Sequence, residues 1–117
     1  MDKYRYSFIA GTLGQTADRY LKTGYKENVL TPVQVLKRMA SYNKAKGVEL
    51  HFRGNETEQD IEQMKAALQD LGLTVSFVNA WLYGERKWMF GSVSAADGET
   101  RKSAMQVLYR LVDYARK

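Results

Sequence analysis

The single histidine of this chain, His51, follows Glu49 by two residues in the run Val48-Glu49-Leu50-His51-Phe52. Residues two apart on a strand share a face, so this spacing sets an imidazole beside a carboxylate. Such a pair can move a proton to or from a bound molecule, or contribute to a metal contact. One histidine and one carboxylate do not complete a metal site; the alternative is a histidine making a structural hydrogen bond at a strand end. A second group lies in Trp81-Leu82-Tyr83-Gly84-Glu85-Arg86-Lys87-Trp88-Met89-Phe90. The faces of Trp81, Trp88 and Phe90 can lie against the C–H surface of a sugar, while Arg86 or Lys87 meets a phosphate. The same aromatics can instead pack the loop onto a neighbouring element or a partner chain.

Other chemistries are excluded by what the sequence lacks. There is no cysteine, hence no disulfide framework and no thiolate metal site. Gly11-Thr12-Leu13-Gly14 does not have the spacing of a dinucleotide-binding turn, and neither a phosphate-binding loop nor a Ser-His-Asp signature occurs. Asp97 and Arg101 read as a helix cap and an i,i+4 pair. The net charge of +5 and a pI near 9.5 raise the question of nucleic acid. The basic residues are scattered, however: Lys37-Arg38, Lys44 and Lys46, Arg86-Lys87, Arg101-Lys102 and Arg116-Lys117 read as solvated faces rather than one groove. The start of the chain has no signal-peptide core, and no apolar run approaches a membrane span. The expectation is a cytoplasmic domain with neither membrane nor nucleic acid among its partners.

The elements that must position these residues follow from hydrophobic spacing and punctuation. A first strand is expected near 6–10, turning at Gly11–Gly14, with a long loop from Gln15 to Leu30. Thr31-Pro32 starts a helix over about 32–46, with Val33, Leu36, Met39 and Ala40 as its apolar face and Gly47 as its stop. The second strand, 48–52, carries His51. Thr57 and Asp60 form a capping box for a helix near 58–71, striped by Ile61, Met64, Leu68 and Leu71 and ended by Gly72. The third strand, near 73–80, leads into the aromatic loop. Asp97 opens a helix near 98–116 with Ala104, Val107, Leu108, Leu111, Val112 and Ala115 as its stripe. Three successive strand–helix units imply one α/β domain with a parallel sheet and right-handed crossovers.

The opening strand Tyr6-Ser7-Phe8-Ile9-Ala10-Gly11, the segment Gly47-Val48-Glu49-Leu50 and the turn Leu71-Gly72-Leu73-Thr74-Val75 have counterparts in a known superfamily. So does Gly91-Ser92-Val93-Ser94 leading to Asp97 and Arg101. On these segments the chain resembles the N-terminal part of the xylose isomerase-like TIM barrel superfamily, the sugar phosphate isomerases and epimerases. The resemblance implies three consecutive β-α units of a (β/α)8 TIM-type barrel, incomplete here, since a full barrel takes about 250 residues. It implies a sugar or sugar phosphate as substrate. It also implies a divalent metal (Mn, Mg, Co or Zn) in the full-length family, held by residues of the barrel's second half, so none is expected in this chain alone. Some members carry a histidine after the second strand as a sugar-contacting acid/base, the position of His51, although the His-x-x-Asp pattern of xylose isomerase is absent. The expected function is the N-terminal portion of a sugar isomerase or epimerase, inactive in isolation. Its remainder would come from a C-terminal half or another chain. The alternative is a non-catalytic half-barrel that self-associates through its open sheet.

Overall fold

A computed structural model describes residues 6–13 and 30–117. Most of the loop expected between Gln15 and Leu30 lies outside them. The element order is β1 (Ser7–Ile9), α1 (Ala10–Leu13), α2 (Pro32–Ser41), β2 (Gly47–Phe52), α3 (Glu58–Asp70), β3 (Thr74–Ala80) and α4 (Gly98–Ala115), with a 3₁₀ turn at Arg86–Trp88 between β3 and α4. Among the described residues no helix is long and apolar enough to cross a membrane.

The helix starts follow the local chemistry. In α2 the Gln34 N–H donates to Thr31 Oγ1 at 3.3 Å, and the Thr31 N–H donates to Gln34 Oε1 at 2.8 Å. The box at α3 pairs Thr57 with Asp60 in the same way, at 3.2 and 2.8 Å. At α4 the Thr100 N–H donates to Asp97 Oδ2 at 2.8 Å. Each contact satisfies amide donors that the first helical turn leaves unpaired. The end of α3 closes by a Schellman arrangement: Leu73 N–H reaches the Leu68 carbonyl at 2.9 Å, and Gly72 N–H reaches Gln69 at 3.1 Å. This requires the left-handed conformation that Gly72 adopts, φ 61°.

Two boundaries differ from the expectation. Helix α2 ends at Ser41, five residues early, because Asn43 turns left-handed at φ 47° and the chain then dips to bury Ala45. Lys44 and Lys46 therefore flank a buried connection, and Gly47 begins β2 instead of stopping the helix. After β1 the chain winds at once into the short α1, where the sequence predicts Ala10 to close the first strand and Gly11–Gly14 to turn the chain.

The three strands form a parallel sheet of order β1-β2-β3. The register pairs Phe8 with Val48 and Ile9 with Glu49. It then pairs Glu49 with Phe77, Leu50 with Val78, His51 with Asn79 and Phe52 with Ala80, after an irregularity between Val48 and Glu49 that leaves Ser76 unpaired. One face, carrying Phe8, Val48, Leu50, Phe52 and Val78, packs on the helices. Val35, Leu36 and Met39 of α2 meet Leu68 of α3 over Val48, and Ala104 and Val107 of α4 meet Phe52. The other face, carrying Ile9, Glu49, His51, Phe77 and Asn79, contributes none of the buried core residues. The outer edges of β1 and β3 have no partner strand among the described residues.

Candidate functional site

Strand polarity brings the ends of β2 and β3 together at one pole, the end at which parallel α/β sheets bind ligands. The Trp81 N–H donates to the Phe52 carbonyl at 2.7 Å, extending the pairing one residue past β3. The two-residue alternation then continues along both chains. Glu49, His51 and Arg53 follow one another on β2 and its extension, opposite Phe77, Asn79 and Trp81.

Around His51 the contacts are close. Its Nε2 lies 3.8 Å from Glu49 Oε1, a separation for an ion pair when the imidazole is protonated and too long for a hydrogen bond. Both side chains are largely shielded, at 15% and 24% exposure, yet remain reachable. The Nδ1 side of the ring faces the main chain of Gly11, where a β-carbon would stand 3.1 Å away. The ring stands nearly perpendicular to the Trp81 indole, with centroids 5.0 Å apart at 80°. Trp81 in turn stacks obliquely on Tyr83 at 4.4 Å, and the Arg53 guanidinium sits 5.5 Å from its centroid. The loop is folded tightly onto this indole: a β-carbon at Gly84 would come within 1.8 Å of Trp81 Nε1, so only glycine fits.

Trp81 is thus joined to the Glu49–His51 pair. The other members of the aromatic loop go elsewhere. Trp88 is 4% exposed and packs with Phe52, Ala104 and Val107 on the helix side of the sheet, its Nε1 buried without a hydrogen-bond partner. Lys87 pairs with Glu85 at 3.1 Å and lies over the Trp88 ring. With Gly54, Val107 and Arg110 it lines an open depression of about 480 Å³ against α4. Arg86 is exposed at the start of the 3₁₀ turn, and Phe90 projects into solvent at 89% exposure.

Sequence reasoning passed over Arg53, Asn79 and Tyr83. The signal for the first lay in the alternation itself, since the period that links Glu49 to His51 reaches Arg53 at the next step. Asn79 needed the register, which pairs it with His51. Tyr83 needed the path of the loop.

Among the described residues no group of three or more His, Asp or Glu side chains could hold a metal ion. Glu49 with His51 offers two donors, one short of the three protein ligands usual at a catalytic zinc. The chemistry these residues themselves support is proton transfer at His51 Nε2, beside a carboxylate and an aromatic surface. The sequence matches no protein-family model, and no curated protein is significantly similar to it.

Proposed function

We propose that this chain forms the first strand–helix units of a (β/α)8 barrel of the sugar isomerase and epimerase type, with the Glu49–His51–Trp81 pole as one wall of the sugar site. The observation that carries the reading is the one-sided parallel sheet. Helices α2, α3 and α4 cover a single face, as the outer ring of a barrel does, while an imidazole, a carboxylate and an indole gather at the C-terminal strand ends. Sugar C–H groups lie against the aromatic surface of Trp81 and Tyr83. His51 Nε2 gives a proton to, or takes one from, a hydroxyl or a carbon beside the carbonyl, with the Glu49 carboxylate 3.8 Å away. The barrel's metal would add polarisation of that carbonyl from residues other than these. The isolated chain therefore binds sugar without turning it over. His51 is the only histidine, so NMR of its imidazole reports on this wall alone. Titration with aldopentoses and aldohexoses is expected to shift those signals saturably, and Trp81→Ala to abolish the shift. Signals that stay fixed through the series would sink the reading.

A second reading, a non-catalytic half-barrel that associates with its own copies, is favoured by one specific feature. Phe77 is 57% exposed on an edge strand whose outer hydrogen-bonding groups have no partner strand among the described residues. Parallel sheets are ordinarily covered on both faces, and association is one way to cover this one.

A further inference from the structure

We infer that Arg53 is the anion-receiving group of this pole and that the ligand it selects is a phosphorylated sugar in preference to a neutral one. The inference rests on the sugar reading above and adds the charge of the substrate.

The guanidinium stands over the same indole that meets His51, so an anion held there and a proton moved at His51 share one aromatic wall. Arg53 is exposed, and no carboxylate among the described residues forms an ion pair with it. The nearest acid in sequence, Glu56, turns both oxygens to main-chain donors: Arg53 N–H and Gly54 N–H, each at 2.8 Å. Those bonds hold the backbone of the strand extension and leave the guanidinium donors available to a ligand. Glu49 faces His51 instead.

Other cations nearby are engaged. Arg110 donates to the carbonyls of Gly54 and Glu56, Arg101 to those of Ala95 and Ala96, and Lys87 is paired with Glu85. A guanidinium has a planar fork of donors matched to two phosphate oxygens, and an aromatic surface beneath it limits the orientations it must give up on binding. The Arg86-Lys87 pair, which the sequence offers for the same task, belongs to a different surface: Lys87 borders the depression against α4.

The experiment follows the His51 imidazole by NMR in three parallel titrations, with ribose, ribose 5-phosphate and inorganic phosphate. The phosphorylated sugar is expected to bind about tenfold more tightly than ribose, the effect of one added charge-assisted contact. Arg53→Gln should bring that ratio close to one, and Lys65→Gln, a charge removed on α3, should leave it unchanged. Ribose binding with no preference for the phosphate overturns the inference and leaves the sugar reading standing. A response to inorganic phosphate that Arg53→Gln abolishes, with none to ribose, overturns the sugar reading and supports the anion site. Loss of the preference in Lys65→Gln as well would assign it to overall charge and overturn the inference.

Discussion

At the scale of single residues, the pole depends on Trp81 being held in one place. Gly84 holds it there by approaching the indole more closely than any side chain would permit. In Gly84→Ala the new methyl group and Trp81 Nε1 cannot both keep their positions. The expected cost is about 1–3 kcal/mol, typical of overpacking, together with a change in the His51 ring signals as the indole moves. Chemical denaturation and NMR of the variant check this; an unchanged midpoint with unchanged His51 signals would contradict the close packing. His51 and Glu49 were legible in the sequence as a strand-face pair, because alternation is a property of any strand. Trp81 and Trp88 were not distinguishable there. They occur in the same loop with the same chemistry, and only the path of the chain sends one to the pole and the other into the core.

At the scale of elements, α2, α3 and α4 begin where the sequence says they should, since a cap acts within four residues of itself. Thr57→Ala and Asp97→Ala are each expected to cost about 1 kcal/mol in denaturant titrations. The capping carboxyls also carry a pH dependence. Asp60 is held below its ordinary value of 3.8 by the Thr57 amide and then by the Thr57 hydroxyl. Asp97 is lowered first by the Thr100 hydroxyl and then by the Thr100 amide. A carboxyl depressed in the folded chain contributes stability that is present above its unfolded value and lost as pH falls through its folded one. Stability should therefore decline as pH drops below about 4, and the double variant Asp60→Asn, Asp97→Asn should flatten that slope. Equal slopes in the two proteins would show that the caps do not carry it. The end of α2 was the element boundary least legible. Asn43 does not announce a left-handed turn in the way that glycine does, and the burial of Ala45 depends on the core beneath it.

At the scale of the whole molecule, the sheet has a covered face and an uncovered one. Val48 and Leu36 are fully buried, whereas Phe77 and Ile9 are 57% and 43% exposed. Apolar surface of this kind is stabilised by cover, and in a barrel the cover comes from the strands opposite. If copies of this chain cover one another, light scattering will give a mass of two chains or more at high concentration. Phe77→Ser should then shift the equilibrium toward monomer by weakening the contact. A monomer at every concentration would remove the self-associating reading and leave the barrel-segment reading as the account of the open face.

The sequence by itself determined the alternation of strands and helices, the caps, the pairing of Glu49 with His51, and the exclusion of thiolate chemistry. All of these rest on residue type or on neighbours within one or two turns. Tertiary structure decided the rest: the register that sets His51 beside Asn79, the gathering of Arg53 and Tyr83 around Trp81, and the concentration of the core on one side of the sheet. Most of those outcomes join residues far apart in the chain, and which contact forms depends on how whole faces pack, a quantity that no local window of sequence contains.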